Sequence, residues 1–423
     1  MNVMYPADDS VQPGFKRRFN KGGCALNYVF ISPAYPVTCT QFCDRLNRHG
    51  VNVLGIGDVP YDALNDQLKH SLSEYYYVDS LEDYDQVYRA VAFFIHKYGR
   101  IDWLESLNEY WLPVDARLRT DFNIAVGTRE DKIGDLVRKS RMKRIFIDSG
   151  IPTARQHIVS DLKAAKAFVK KVGYPVIVKP DIGVGANGTM KINGEDELLA
   201  FYSELPQTPY VMEEFLSGDI CTYDAILDAN CEPLFESMCT YPPVIDSVQN
   251  DESIHFYTVA DVPVQLRDFG RKAAKAFGAD RRFVHFEFIN ITKDYKGIGK
   301  AGSYAIMEVN MRPAGGHDPD MMNYAQSIDV FDIYAQMVTT DSADIPEAAE
   351  HYVCAYAARK DGVHYTHTPE EIMDRYGSAI VMQEEMPPID WPSMGRYVYM
   401  AKFKEISEME EYCRFVLEAA AEG

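Results

Sequence analysis

The sequence predicts an α/β protein with α+β parts: a parallel-sheet domain comes first, and antiparallel strand pairs follow it. In residues 26–150, short apolar runs alternate with amphipathic helical patterns, which is typical of a parallel sheet covered by helices. Further along, strands with alternating side chains are separated by glycine-rich turns, which predicts hairpins. At 423 residues the chain is too long for one ordinary core. We therefore expect two or three domains.

The first domain is predicted from strands that are apolar throughout and from helices with one apolar face. The strands are expected at residues 27–32, 51–56, 75–78 and 101–106, and the helices at residues 39–48 and 83–98. Gly50 follows the first of these helices and is a typical stop signal.

The rest of the chain is predicted to form two further domains. Helices at residues 132–149 and 162–172 and a strand at 175–179 form a small unit, and strands follow at 210–215, 221–227, 284–289 and 305–311. The last stretch has strands near 352–358 and 378–383 and a helix at 408–421. We divide the chain into 1–130, 131–345 (a small part, 131–210, and a larger part, 211–345) and a mixed C-terminal domain, 346–423.

The composition excludes several classes of function. The formal net charge is −20, and so acidic a surface repels nucleic-acid backbones and anionic membranes. No apolar run reaches the length of a membrane span, so no membrane partner is expected. The first residues lack the basic start and apolar stretch of a secretion signal. We therefore expect a cytoplasmic protein without nucleic-acid partners.

The eight cysteines show no disulfide framework. Cys39 and Cys43 lie one helical turn apart on the first predicted helix. A metal or redox pair is one interpretation, but two thiols alone rarely hold zinc. The favoured interpretation is that both are small buried apolar residues.

A glycine-rich turn follows the strand at 175–179. Residues 183–188, with Gly183, Gly185 and Gly188, fit the GxGxxG pattern of dinucleotide-binding proteins. That pattern requires a helix to follow, but residues 189–194 read as a strand, so a dinucleotide site is disfavoured. We expect a flap between antiparallel strands, whose glycine N–H groups cover phosphates. A purely structural hairpin is the alternative.

Lys179 supports the phosphate interpretation. It ends an apolar strand and adjoins the glycine-rich turn. An ammonium placed there needs an anion or solvent, and a phosphate is the natural anion. A strand-end lysine that simply points into water is the alternative.

Two later strands carry acidic side chains in alternation. Glu287 alternates with apolar residues on one strand, and Glu308 and Asn310 do so on the next. Pairing the strands sets Glu287 beside Glu308 and Asn310. Two carboxylates and an amide oxygen form a hard oxygen site, which suits Mg²⁺ bound with nucleotide phosphates. The alternative is a solvated polar face of an edge hairpin.

Taken together, these segments resemble the ATP-grasp superfamily over roughly residues 26–345. Four segments occur in the family's order: Lys179 with its glycine-rich turn, Glu213-Glu214-Phe215-Leu216-Ser217-Gly218, His285-Phe286-Glu287-Phe288 and Glu308-Val309-Asn310-Met311-Arg312-Pro313. The region before them looks like the domain that precedes the grasp in these enzymes. One departure is Ala186, where the family often has serine.

The resemblance implies roles in nucleotide binding. Lys179 would hold the α- and β-phosphates, and the glycine-rich turn would close on the β- and γ-phosphates. Glu213 would accept from the adenine amino group, the backbone from Glu214 to Leu216 would contact the adenine edge, and Asp219 would hold the ribose. A second basic residue is expected on the preceding helix. Lys139 fits the pattern there, with Lys132 and Lys143 as rivals.

The resemblance also implies the catalytic groups. Glu287, Glu308 and Asn310 would bind Mg²⁺ or Mn²⁺. Arg312 would stabilise an acyl phosphate and a tetrahedral intermediate, as a guanidinium can do with two parallel hydrogen bonds.

Residues 312–318 and the helix after them look like those of amino-acid ligases, the dipeptide synthetases. Gly315 and Gly316 would let a substrate carboxylate approach the backbone. His285 and His317 are further substrate candidates, although each histidine alone is more often structural. Glu109 is a candidate for a substrate amine.

The function expected from this resemblance is an ATP- and Mg²⁺-dependent carboxylate–amine ligase that forms an acyl phosphate and releases ADP and phosphate. Its partners are a small-molecule carboxylate and amine, amino acids or similar compounds. A bicarbonate-using carboxylase or carbamoyl-phosphate-type enzyme and a non-catalytic ATP-binding module are the alternatives. A homodimer is an oligomeric state common among such enzymes.

Overall fold

The computed structural model of the chain describes residues 4–6, 25–183, 188–241, 254–346, 350–388 and 390–420. Within these ranges the strands form three sheets, of five, four and eight strands. None of the described helices combines the length and apolar composition that a membrane span requires.

The first sheet has a parallel core, as predicted. Its strands are β1 (Met4–Pro6), β2 (Asn27–Ile31), β3 (Asn52–Gly57), β4 (Glu74–Tyr77) and β5 (Trp103–Glu105), in the order β1-β4-β3-β2-β5. β2 pairs in parallel with β3 and β5, whereas β1 adds an antiparallel edge to β4. All five residues of β2 are buried, which is typical of a parallel strand covered on both faces.

Among the described residues, four α-helices accompany this sheet: α1 (Cys39–Arg48), α2 (Asp66–Ser71), α3 (Tyr84–Tyr98) and α4 (Leu112–Asp121). Helix α3 begins where the Asp83 carboxylate accepts from the Asp85 N–H, and it ends at Gly99, whose φ of +86° favours glycine. The sequence patterns predicted α1 and α3 but not α2, which is only six residues long, or α4, whose apolar residues do not form one stripe.

The prediction of one helix over residues 132–149 is wrong. The segment forms α5 (Glu130–Val137) and α6 (Lys139–Asp148), and Arg138 between them is extended, with φ −102° and ψ 112°. Asp181 explains the break, because its backbone oxygen accepts from the Lys139 N–H at 2.9 Å and its carboxylate from the Ser140 N–H at 2.8 Å. A residue distant in sequence therefore caps α6.

The second sheet is small and antiparallel. Its strands are β6 (Gln156–Ile158), β7 (Val176–Pro180), β8 (Met190–Ile192) and β9 (Tyr210–Glu214), in the order β6-β9-β7-β8, with helices α7 (Leu162–Val172) and α8 (Glu195–Ser203). β7 and β8 are antiparallel neighbours, which confirms that the glycine-rich turn joins antiparallel strands. Residues 184–187 of that turn lie outside the described residues.

The third sheet joins strands from the middle and the end of the chain. Its strands are β10 (Gly218–Leu227), β11 (Pro233–Tyr241), β12 (Ile254–Val259), β13 (Arg282–Ile291), β14 (Tyr304–Asn310), β15 (Val353–Arg359), β16 (Ile380–Glu385) and β17 (Tyr397–Phe403). All pairs are antiparallel, in the order β14-β13-β10-β11-β12-β15-β17-β16. The predicted boundary at residue 346 therefore falls within one continuous sheet.

Helices flank this sheet. They are α9 (Val264–Phe277), α10 (Asp318–Gln326), α11 (Val330–Thr340), α12 (Pro369–Tyr376), α13 (Trp391–Met394) and α14 (Ile406–Leu417). The sequence patterns did not predict the strands β11, β12 and β17 or the helices α9, α11, α12 and α13, and they extended the last helix beyond Leu417. Thr368 and Glu371 form a capping box at the start of α12, a short-range signal that apolar periodicity alone does not reveal.

Aromatic packing joins the first domain to the large sheet. The Phe42 ring on α1 lies edge-on to the rings of Phe331 and Tyr334 on α11, with centroids 4.8 and 5.2 Å away. The Tyr334 hydroxyl in turn lies 2.8 Å from that of Tyr28 on β2. Cys39 and Cys43 are buried in the same core, as their interpretation as apolar residues predicts.

Replacing Phe42 tests this packing. Phe42→Ala removes a fully buried ring, so we expect the free energy of unfolding to fall by about 3–5 kcal/mol, measured as a lower urea midpoint. Val37→Ala just before α1 is the matched control, because the Val37 side chain is exposed. Equal midpoints for the two variants would show that the first domain does not depend on this contact.

Candidate active site

Strands β13 and β14 bring the predicted oxygen ligands together. Glu287 pairs directly with Glu308, and His285 pairs with Asn310 in the same antiparallel ladder. Directly paired residues share a face of the sheet, so both carboxylates and the amide project to one side. Both glutamate side chains are largely shielded from solvent.

The donor set fits a magnesium ion that shares its coordination with phosphates. Among the residues that the structure describes, no group of three or more His, Cys, Asp and Glu is arranged to hold a metal by itself. Two carboxylates and an amide oxygen need further oxygen ligands, which nucleotide phosphates and water supply in sites of this kind. Burial and the neighbouring Glu287 raise the pKa of Glu308, although Lys139 opposes them. A divalent cation would relieve that repulsion.

Lys139 connects this acidic pair to the glycine-rich turn. Its Nζ donates to Glu308 Oε1 at 2.9 Å and to the backbone oxygen of Gly183 at 3.0 Å. The side chain is buried at the first residue of α6, where the break at Arg138 places it. An ammonium thus bridges the small sheet's turn and the carboxylates on the large sheet.

A second buried cluster centres on Glu213. Its Oε1 lies 2.8 Å from Lys143 Nζ and accepts from Gln156 Nε2 at 2.9 Å, and its Oε2 lies 2.8 Å from Lys179 Nζ. Burial alone would raise the pKa of Glu213, but Lys143 and Lys179 hold it far below its ordinary value. Burial lowers the pKa of Lys143. For Lys179 the opposing effect of Glu213 and Glu308 is larger than that of burial, and its pKa is raised.

The structure narrows the choice of a second ATP lysine. Lys139 and Lys143 lie one turn apart on α6 and are both buried against the acidic groups, whereas Lys132 is exposed on α5. Together with Lys179, three lysines therefore converge where two were expected. Which of them contacts a nucleotide stays a prediction.

The segment after β9 runs beside these lysines. The Glu214 carboxylate is held by Arg155 through two hydrogen bonds, of 2.7 and 2.5 Å, so its side chain is occupied. Leu216 is buried beside Ala154. Asp219 is exposed near the start of β10. The Glu214 backbone N–H donates to the Arg155 backbone oxygen at 2.9 Å. The contact of the backbone from Glu214 to Leu216 with an adenine stays a prediction.

The described glycines of the turn differ in their surroundings. Gly188 has a φ of +71°, and a Cβ there would lie 3.0 Å from Pro180 Cγ and from the Tyr210 hydroxyl, so this position favours glycine. Gly183 supplies the oxygen that accepts from Lys139. Gly185 lies outside the described residues.

His285 is oriented by an aspartate that the sequence patterns did not single out. Its Nδ1 lies 2.8 Å from Asp224 Oδ1, and its Nε2 points toward Glu287, 3.7 Å away. Asp224 also accepts from the Thr222 hydroxyl. A signal was present in the sequence, because Thr222 and Asp224 alternate with apolar residues along β10.

His317 lies further along the same face, between carboxylates. Its Nδ1 is 3.2 Å from Asp320 Oδ2 and its Nε2 is 3.1 Å from Glu384 Oε1 on β16. The neighbouring Asp318 accepts from the Tyr241 hydroxyl. Burial raises the pKa of Asp318 to about 7. Glu384 had no sequence signal, because it reaches this place only through the order of strands in the sheet.

Arg312 meets a residue of the first domain. Its Nη2 lies 2.5 Å from Glu109 Oε2, and its Nη1 donates to the backbone oxygen of Pro313 at 2.9 Å. Gly315 is exposed, with open space around its Cα, whereas Gly316 has a φ of +59° and packs against the Met394 side chain. The structure thus brings buried lysines into contact with carboxylates of both sheets, and it places His285 beside Glu287 and Arg312 beside Glu109.

A known protein family matches the central part of the chain. The family described as carbamoyl-phosphate synthase L chain, ATP binding domain, matches residues 138–211. This range contains α6 and the small sheet up to the start of β9.

Curated relatives cover more of the chain. It is similar to the L-arginine-specific L-amino acid ligase of Bacillus subtilis, with 26% identity over 283 residues, which are 64% of this chain and 65% of that protein. Matches to carbamoyl phosphate synthase large chains span only 10% to 20% of those proteins. The chain therefore matches less than two thirds of the length of these relatives.

Solved structures share the fold across almost the whole chain. An L-amino acid ligase from Bacillus licheniformis has a TM-score of 0.70 at 15% identity, covering 95% of this chain and all of that one. The biotin carboxylase domain of the 2-oxoglutarate carboxylase from Hydrogenobacter thermophilus, solved with MgADP and bicarbonate, has a TM-score of 0.65 at 16% identity, covering 93% and 90%. At these identities the likeness concerns the fold.

Asp318→Asn tests the buried charge beside Tyr241. A folded-state pKa of about 7, above the ordinary value, contributes stability at low pH that is lost as the pH rises through 7. As the pH rises from 5 to 8, the native protein should lose this stability, whereas the variant has no carboxyl to lose it from. The unfolding free energy of the variant should therefore rise relative to that of the native protein by on the order of a few kcal/mol. Urea unfolding at each pH measures it.

Asp66→Asn on α2 is the matched control, because the Asp66 side chain is 90% exposed. Parallel pH profiles of the native protein and Asp318→Asn would contradict the raised pKa of this carboxyl.

Proposed function

We propose that this chain, which belongs to the ATP-grasp ligases and resembles the L-amino acid ligases, joins a carboxylate to an amine at the expense of ATP. One observation carries the proposal: buried lysines from α6 and β7 come together with the two facing carboxylates of the large sheet, and Arg312 follows shortly after the strand that carries Glu308. This combination supplies cations for phosphates, oxygens for a divalent metal and a guanidinium for an oxyanion.

ATP binds between the small and the large sheet. Lys179 and Lys139 hold its phosphates, exchanging their present carboxylate partners for phosphate oxygens, and the described glycines of the turn, Gly183 and Gly188, flank them. The backbone of 214–216 contacts the adenine edge, Glu213 accepts from its amino group, and Asp219 holds the ribose. The roles toward the phosphates are supported by the burial of both lysines beside the turn.

Glu287, Glu308 and Asn310 are the residues that would hold Mg²⁺ or Mn²⁺. The bound ion would supply neutralisation of the charge on the transferred phosphoryl group. With ATP present, Lys139 would exchange Glu308 for a phosphate, which would free this carboxylate to bind the metal. The pairing of Glu287 with Glu308 supports this assignment.

The reaction proceeds in two steps. A carboxylate oxygen attacks the γ-phosphorus of ATP, and the bond from this phosphorus to the β-phosphate bridging oxygen breaks. ADP departs, and an acyl phosphate is formed. An amine then attacks the carbonyl carbon, inorganic phosphate departs with the electron pair of the C–O bond, and the nitrogen loses a proton. Arg312 stabilises the negative charge of both stages, and positioning supplies much of the rate.

The substrates we propose are amino acids. The names of the two ligases to which the chain is similar support this class. Arg312 and Glu109 lie side by side, and such a pair matches the carboxylate and ammonium of an amino acid. Gly315 and Gly316 leave backbone accessible to a substrate, and His285 and His317 line the adjacent wall. A homodimer is proposed by analogy with the dimeric carboxylase domain.

The second candidate function is a bicarbonate-using carboxylase, favoured by the fold shared with a domain solved with bicarbonate. A non-catalytic ATP-binding module is a weaker candidate, since such a protein would not need the complete charged constellation.

The proposed function is tested by ADP release. We expect purified protein with ATP and Mg²⁺ to release ADP and phosphate only with certain amino-acid pools, and Glu308→Gln to lose at least about 100-fold of that rate. Bicarbonate-stimulated release without dependence on amino acids would establish the carboxylase instead. ATP binding with no turnover would favour the module, and AMP as the product would exclude the acyl phosphate.

Lys179→Met tests the phosphate contact separately. Loss of a buried charge-assisted contact should raise the dissociation constant of ATP by roughly 10- to 100-fold, measured by calorimetry. Lys132→Met is the matched control, because that lysine is exposed on α5 and should leave the constant within about twofold. Equal affinities in the two variants would remove Lys179 from the nucleotide site.

A further inference from the structure

Four charged side chains are buried where the first domain meets the large sheet. Glu105 ends β5, Asp115 and Arg119 lie on α4, and Arg282 begins β13. Their exposed fractions are 3%, 0%, 1% and 4%. The quartet sets two acidic groups against two basic ones, and breaking it would leave a buried charge without a partner.

Arg282 links Glu105 to the strand that carries Arg312. Its Nη2 donates to Glu105 Oε1 at 3.1 Å, and its Nη1 donates to the backbone oxygen of Met311 at 3.4 Å. Met311 directly precedes Arg312 and follows the last residue of β14. One guanidinium therefore connects the end of β5 with the backbone that bears the proposed catalytic arginine.

Arg119 fixes Glu105 from the other side. Its Nη2 lies 2.7 Å from Glu105 Oε2 and donates to the Leu104 backbone oxygen, also at 2.7 Å. Its Nη1 donates to the Thr128 backbone oxygen at 2.9 Å. Gly127 lies so close that a Cβ there would be 2.6 Å from Arg119 Nε and 2.9 Å from Arg282 Nη2. The guanidinium groups thus have no room to reorient on that side.

Glu109 follows Glu105 by four residues, and the two carboxylates reach the same partner segment. Glu105 is bridged by Arg282 to Met311, and Glu109 pairs with Arg312 itself. Between them, the Asp115 carboxylate accepts from the N–H and hydroxyl of Ser106 at 3.0 and 2.7 Å, which fixes the chain after β5. The loop that carries Glu109 is therefore anchored at its base by the quartet.

We infer that Glu105 and Arg282 are positioning residues, which hold Arg312 and Glu109 at a fixed distance across the domain junction. The inference rests on the proposed function, because it assigns the pair to the placement of a group that acts in that reaction. Neither residue touches the substrates. They act by fixing the backbone at Met311 and the start of the 106–109 loop, and small displacements of reacting groups reduce rates strongly.

Glu105→Gln tests the inference, since it keeps the shape and removes the charge. We expect kcat for amino-acid-dependent ADP release to fall roughly tenfold while the KM for ATP stays within about twofold. Arg282→Lys is the milder variant in case Glu105→Gln does not fold. It keeps the charge but cannot donate to Glu105 and Met311 in the same fork, so a smaller loss, about threefold, is expected.

Tyr28→Phe is the matched control, because it removes a buried hydrogen bond at the same junction and leaves all four charged side chains of the quartet in place. It should lower thermal stability and leave kcat unchanged. In an Arg312→Lys background, Glu105→Gln should add little further loss, since both changes act through one group.

Amide hydrogen exchange gives a readout that does not need turnover. Peptides covering 309–316 should exchange faster in Glu105→Gln than in Tyr28→Phe. The inference would be overturned if Glu105→Gln changed neither kcat nor the exchange of peptides 309–316. It would also be overturned if the losses of kcat from Glu105→Gln and Arg312→Lys multiplied in the double variant. If the native protein shows no amino-acid-dependent ADP release, the proposed function fails, whereas the exchange comparison still decides whether the quartet positions this segment.

Discussion

The antiparallel pairing of β13 with β14 is the constraint on which the site depends. It sets Glu287 directly opposite Glu308, in a place shielded from solvent where two negative charges repel each other. The Lys139 ammonium offsets this repulsion by donating to Glu308, and it also contacts the glycine-rich turn. The break between α5 and α6 sets the position of this lysine. Asp181 caps α6 at its first residue, Lys139, and a continuous helix would have no cap there.

A second constraint is that the candidate site is built from separate parts of the chain. The lysines come from α6 and β7, the carboxylates from the large sheet, and Glu109 from the loop after β5. Their placement therefore requires firm contacts between domains. The rings around Phe42 supply apolar packing, and the quartet of Glu105, Asp115, Arg119 and Arg282 adds a buried ion pair from Arg119 and a hydrogen bond from Arg282, both to Glu105. The apolar packing stabilises the junction between the first domain and the large sheet, whereas the charged quartet also orients the segments that meet there.

The sequence predicted those features that local patterns determine. Continuous apolar strands indicated the parallel sheet, and strict alternation along two strands was enough to place Glu287 beside Glu308. Features that depend on distant segments could not be predicted from local patterns. The break at Arg138 depends on Asp181, and Glu384 reaches His317 only because β16 forms one edge of the large sheet. For the same reason, the pairing of Arg312 with Glu109 had no local signal, although both residues were candidates.

Manganese binding tests the central claim most directly, namely that the facing carboxylates hold a divalent cation with ATP. Electron paramagnetic resonance counts free Mn²⁺ in the presence of ATP-saturated protein, and a Glu287→Gln/Glu308→Gln variant provides the comparison. We expect a tight Mn²⁺ site on the native complex that the double variant loses, while the variant keeps its overall fold by circular dichroism. Equal Mn²⁺ binding by the two ATP complexes would contradict the claim.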